Sequence, residues 1–158
     1  MYANYDRKFT GRNCPTGYVT ASELAKLMRV DIKSAIAAGT LPGTARNYSV
    51  RVHNYSGGRS IYIEAQDLGG MWEDCKGGCN HWDCEHGRTT LVLTEAGQKV
   101  QETIEDIRSS YNYDSSDAQV DYFNVNFYGS ASVESPSDKR FRESEKARKA
   151  ARKAKVAA

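Results

Sequence analysis

The sequence predicts an α+β domain: a small, mainly antiparallel sheet of three to four strands with two helices on one face, in the order α-β-β-(loop)-α-β, followed by a basic C-terminal tail. Three observations carry this prediction. Two segments place apolar residues at helical spacing behind a capping threonine. Two adjacent segments alternate apolar and polar residues around a glycine pair. A third alternating segment, rich in aromatic residues, follows the second helix.

In chain order, residues 1–19 show no period and read as an arm partly ordered by Tyr2, Tyr5 and Tyr18. "TASELAKLMRVDIKSAIAAG" is the first helix. Thr20 and Glu23 have the spacing of a capping box, and Leu24, Leu27, Met28, Ile32, Ala35 and Ile36 form one apolar stripe. Gly39 and Pro42 end it. In "YSVRVH", Tyr48, Val50 and Val52 point inward; in "SIYIEA", Ile61, Ile63 and Ala65 do so. The Gly57-Gly58 pair between them supplies a hairpin turn. Residues 67–90 form a glycine-broken, cysteine-rich loop, with "TLVL" as a short extra strand at its end. Thr94 caps the second helix, whose stripe is Leu93, Gly97, Val100, Ile104, Ile107 and Tyr111. In "VDYFNVNFYGS", Phe123, Val125 and Phe127 share an inner face and Tyr122, Asn124, Asn126 and Tyr128 an outer one. Domain limits follow: an arm at 1–19, one domain at 20–130, and a linker with a basic helical tail at 131–158. "SASVESPSD" has the composition of a linker, and the tail lacks an apolar stripe, so the tail is expected to stand off the body.

The composition, 39% apolar and 27% charged, is that of an ordinary soluble chain, and no apolar run approaches the length of a membrane span. The N-terminal residues contain no continuous apolar stretch, so a cytoplasmic location with reduced thiols is expected. The net charge of +2 hides an asymmetry: residues 138–158 hold nine basic and three acidic residues, a net +6, leaving −4 for the rest. A basic end on an acidic body suits phosphates or an acidic partner; it also serves as a solubilising extension.

The segments "VTASELAKLMRVDIKSAI", "SVRVHNYSGG" and "YNYDSSD…DYFNVNFY" resemble the large polyvalent protein-associated domain family, type twenty-nine, over roughly residues 18–130. Such domains occur in phages and conjugative elements. The resemblance implies an accessory role in the host cytoplasm, either accompanying DNA into a new host or supporting the element against host defence. It carries over no catalytic residues, and it leaves out the cysteine-rich loop and the tail.

Four groups of residues are candidates for function. Cys75, Cys79, Cys84 and His86, with His81 beside them, place soft ligands within twelve residues. They can hold a structural Zn²⁺, remain a metal-free thiol loop, or form a disulfide that involves Cys14. The outer sheet face collects Arg51, His53, Tyr62, Tyr122, Asn124, Asn126 and Tyr128, residue types that stack on and hydrogen-bond exposed bases or anchor a protein partner. A solvated face of cross-strand pairs has the same composition. In the tail, Arg142, Lys146, Lys149 and Lys153 make one basic stripe, and Arg148, Arg152 and Lys155 form a neighbouring one. Asp114, Asp117 and Asp121 form an acidic cluster of the kind that binds Mg²⁺ or simply favours turns. No G-x-S-x-G, Walker loop or H-E-x-x-H occurs, which argues against an enzyme. The expected function is non-catalytic binding of a host or phage macromolecule, nucleic acid among the candidates. The alternatives are a protein-binding inhibitor of a host defence enzyme and a small enzyme using His53 or the aspartate cluster.

Overall fold

Thr20 opens the first helix as its spacing predicts. In the computed structural model, which describes residues 9–75, 91–116 and 123–157 (side chains to 154), its hydroxyl accepts the Glu23 N–H at 3.2 Å and the Glu23 carboxylate accepts the Thr20 N–H at 2.9 Å. The helix, α1, runs Ala21–Ala37. Leu24, Met28 and Ile32 are buried, whereas Leu27, placed by its spacing on the same stripe, lies exposed at the rim. Strand β2 (Tyr48–Tyr55) and strand β3 (Gly58–Ala65) form the predicted antiparallel hairpin, with Arg51 opposite Tyr62 and Val50 opposite Ile63. Helix α2 (Glu95–Ser110) is capped by Thr94, which accepts the Gly97 N–H at 3.1 Å. Both helices pack on the inner face of the hairpin. Leu24, Met28 and Ile32 meet Val50, Ile61 and Ile63 there, with Val100, Ile104 and Ile107 beside them in one core.

The rest of the fold departs from the predicted order in four places. The third strand of the main sheet is β7 (Ala131–Val133), inside the segment read as a linker, and it lies parallel to β3 with Ile63 opposite Ala131. Its composition hides it, because serine, proline and aspartate flank only two core side chains, Ala131 and Val133. A parallel neighbour requires a crossover, and α2 provides it, packing on both β3 and β7. Residues 123–130 are not a continuous strand. Val125 bridges to Asp114 and Tyr128 to Ser60, so the segment leaves one partner for another. Gly129, at φ +126°, makes this possible: a Cβ there would lie 2.0 Å from the Ile61 carbonyl oxygen. The pleat is thereby broken, and Phe127 is buried while Phe123, predicted inward, is exposed.

The third departure is the arm. Strand β1 (Phe9–Thr10) pairs with β6 (Tyr113–Asp114) just beyond α2. The Gly11 and Asn13 N–H groups bond the Asn112 and Ser110 carbonyls, and Arg12 pairs with Asp106 at 2.7 Å. In the loop, β4 (Trp72–Asp74) pairs with the predicted short strand β5 (Leu91–Leu93) and closes its neck. The fourth departure is where the predicted helical tail starts: α3 (Pro136–Ala157) begins inside the segment read as a linker, with only Glu134 and Ser135 between it and β7. Ser135 caps it. Its hydroxyl accepts the Asp138 N–H at 3.2 Å and the Asp138 carboxylate accepts the Ser135 N–H at 3.3 Å, with Pro136 in the first turn. Among the described residues, no helix is long and apolar enough to cross a membrane.

Candidate functional site

The outer face of the hairpin holds the side chains its alternation predicts. Arg51, His53 and Tyr62 are exposed. Arg51 lies 3.4 Å from Glu64, which also accepts the Gln66 side-chain N–H at 2.6 Å. The His53 ring lies 5.7 Å from that of Tyr55, and among the described residues no carboxylate or nucleophile bonds to it.

Helix α3 is docked at its root, where a free-standing tail was expected. The Glu134 carboxylate, 3% exposed, accepts two hydrogen bonds from Arg142, from Nε and from Nη2, the latter at 2.9 Å. Arg142 also reaches Asp67 at 3.0 Å, as does Lys139. The Lys139 ammonium, then the Arg142 guanidinium, hold the Asp67 carboxyl below its ordinary range. Trp72 donates its indole N–H to the Glu134 carbonyl at 2.9 Å. Arg142, predicted as a binding cation, is thus spent on anchoring the helix. Tertiary ion pairing replaces the missing apolar stripe.

This docking brings together two groups that lie far apart in sequence. A groove of about 440 Å³ runs between α3 and the outer sheet face. Arg51, Arg142, Lys146 and Lys149 line it, but so do Glu64, Glu134, Asp138 and Glu145. Four charges of each sign leave it without a net field, so the groove itself does not favour phosphate. Beyond Glu145 the balance changes. Lys146, Arg148, Lys149, Arg152 and Lys153 follow with no acidic residue between them, and every residue from 146 to 154 is exposed. Arg148 pairs with Glu145 at 3.1 Å. Among the described residues, no carboxylate pairs with Lys146, Lys149, Arg152 or Lys153.

Asn124 and Asn126, expected to face a ligand, are half-buried and bonded within the fold. The Asn124 amide donates to Ser115 Oγ at 2.7 Å and the Asn126 amide to the Tyr111 carbonyl at 2.9 Å. They hold the irregular segment onto β6 and α2, a job that strand alternation does not reveal. Tyr128 is exposed, and Tyr122 lies outside the described residues. Tyr128 borders a second cleft, of about 530 Å³, with Tyr18, Arg59 and Phe123, none of which the sequence marks as functional. Contacts across 40 and 67 residues assemble that cleft, so no local signal could have found it.

Asp114 is half-buried in β6 and accepts the Ser116 N–H at 2.9 Å, a turn-forming bond; Asp117 and Asp121 lie outside the described residues. Cys75 follows β4 directly, and Cys79, Cys84 and His86 lie outside the described residues. Cys14 carries a free thiol, its pKa raised by burial. Among the described residues, no three His, Cys, Asp or Glu side chains cluster closely enough to hold a metal ion. No family model matches the chain, and neither a curated protein nor a solved structure matches it.

Proposed function

We propose that the chain is a non-catalytic accessory protein of a phage or mobile element that binds nucleic acid in the host cytoplasm, gripping the phosphate backbone with the distal half of α3. One observation carries the nucleic-acid part. Five cations between residues 146 and 153 stand exposed on a helix with no acidic residue among them, while the root of that helix is fixed by the buried carboxylate of Glu134 on Arg142. The fold uses Lys139 and Arg142 for anchoring and, among the described residues, pairs no carboxylate with Lys146, Lys149, Arg152 or Lys153. A helix of 22 residues spans about 33 Å, enough to follow several phosphates. The accessory role rests on the resemblance of the "SVRVHNYSGG" hairpin and the "DYFNVNFY" segment to the large polyvalent protein-associated domains.

The same proposal includes a structural Zn²⁺ held by Cys75, Cys79, Cys84 and His86. The pairing of Asp74 with Leu91 supports it, because the strand neck draws the two ends of that loop together.

The test is the variant Lys149→Glu/Lys153→Glu. Both residues are exposed, so the fold should survive. Nucleic-acid affinity at low salt should fall at least about tenfold and its salt dependence should flatten. Unchanged binding would remove α3 as the contact. Absence of binding by the parent protein would transfer the proposal to a protein partner, such as a host defence enzyme.

A further inference from the structure

The hairpin end of the main sheet carries the second cleft, and its composition differs from that of the groove under α3. Of the five aromatic rings that line it among the described residues, three are open to solvent: Tyr18 at 86%, Phe123 at 68% and Tyr128 at 45% exposure. They come from two separate parts of the chain, Tyr18 from the arm and Phe123 and Tyr128 from the segment that follows α2. Arg59 joins those parts. Its Nε donates to the Asn126 carbonyl at 2.8 Å, and its other guanidinium nitrogens donate to the Val19 carbonyl and to Asn126 Oδ1. The guanidinium also lies over the Tyr18 ring, 5.1 Å from its centroid, so one face of that ring is covered and its position is set.

The charge of the cleft is unbalanced. Among the described residues that line it, Arg59 is the one charged residue and none is a carboxylate. Among the described residues, no carboxylate pairs with Arg59; its hydrogen bonds there go to carbonyl oxygens of Asn126 and Val19, so its positive charge is not neutralised by a partner in the cleft wall. A cleft lined by exposed rings and a fixed cation repels cationic ligands. It accepts a planar π-system that brings negative charge with it. Asn54 and the backbone at Gly57, where an added Cβ would meet nothing within 4 Å, offer hydrogen-bonding groups at the rim. A nucleotide meets both demands: its base stacks on the rings and its phosphate answers the cation. A base inside a duplex has its faces covered by neighbours, so the base must be unpaired.

We infer that this cleft receives an unpaired nucleobase, making the chain a binder of single-stranded nucleic acid, with Tyr18, Phe123 and Tyr128 as the stacking surface and Arg59 as the positioning residue. The inference rests on the nucleic-acid reading of α3, which would supply the phosphate contacts.

The experiment compares three probes of equal length, about twelve nucleotides: a fluorescent oligothymidylate, the same strand with abasic sugars throughout, and a duplex. Each is titrated at low salt with the parent protein, with Phe123→Ala and Tyr18→Ala, and with the α3 charge variant. The parent should prefer oligothymidylate over the abasic strand by about tenfold, the range of one base–aromatic stack. Phe123→Ala should bring oligothymidylate down towards the abasic strand; since Phe123 is exposed, circular dichroism should show the fold intact. The α3 variant should weaken both strands alike and keep the preference. Equal binding of the two strands by the parent, with the α3 variant still weaker on both, overturns the base-binding cleft and leaves the phosphate contact standing. A preference that survives both aromatic substitutions also overturns it. Failure of all three probes to bind removes both readings together.

Discussion

Replacing Glu134 with glutamine tests the anchor that sets the direction of α3. Glutamine keeps the shape of the side chain but removes its charge at a position 3% exposed. The carboxylate now accepts two bonds from Arg142 and the Asp67 N–H at 3.3 Å. Removing one partner of a buried pair ordinarily costs about 3–5 kcal/mol, largely through the charge left stranded. Here Arg142 retains Asp67 at 3.0 Å and keeps some contact with water, and the glutamine carbonyl still accepts one bond. The loss should therefore be smaller, roughly 2 kcal/mol. For a chain of 158 residues this lowers the melting temperature by about 4–8 °C. Arg142→Leu should cost more than Glu134→Gln, because it strands the carboxylate instead of the guanidinium. The assay is thermal and urea unfolding of each variant, with hydrogen exchange over residues 136–145 to localise the loss. If Glu134→Gln melts within about 1 °C of the parent and exchange at the root of α3 is unchanged, the helix is not held by this pair.

Three further outcomes are expected. Burial raises the Tyr48 and Tyr111 hydroxyls to about 12, the latter helped by its 2.7 Å bond to Asp31. The unfolded chain ionises them near 10, so stability present below pH 10 should be lost as pH rises towards 12, and urea midpoints that stay level across that window would contradict their burial. Phe127→Ala removes a ring only 1% exposed from between the sheet and α2, and should cost about 3–5 kcal/mol in urea unfolding, whereas Phe123→Ala, on the exposed side, should cost little. Protein purified under reducing conditions without chelator should contain about one zinc per chain by elemental analysis, and Cys84→Ser should release it; a metal-free preparation rejects the ligand set.

How far the sequence reached can be seen at particular residues. Thr20 with Glu23, Gly39, and Thr94 with Gly97 mark helix ends by local chemistry, and the helices begin and stop there. The alternation around Gly57-Gly58 sets which side chains of β2 and β3 face the core, and the observed register keeps that assignment. What depends on distant partners was not legible. Ala131–Val133 becomes a strand because β3 offers a free edge and α2 covers it. The Ser135-Pro136-Ser137-Asp138 run is a helix start, a local signal that its linker-like surroundings obscure. Neither the anchor of Asp67 and Glu134 on Arg142 nor the cleft that Arg59 assembles from Val19 and Asn126 follows any period along the chain. Both surfaces on which the proposed function depends are therefore products of tertiary contact, although the cations of α3 are plain in the sequence.

The central claim is that α3 and the aromatic cleft together bind a nucleic-acid strand. Titration of the whole chain against a single-stranded oligonucleotide, repeated from low to moderate salt, tests it most directly. Three of the exposed cations, Lys146, Lys149 and Lys153, share one side of the helix, so the logarithm of the affinity should fall against the logarithm of salt with a slope of about −2. An affinity that does not change with salt, or no binding even at low salt, would contradict the claim.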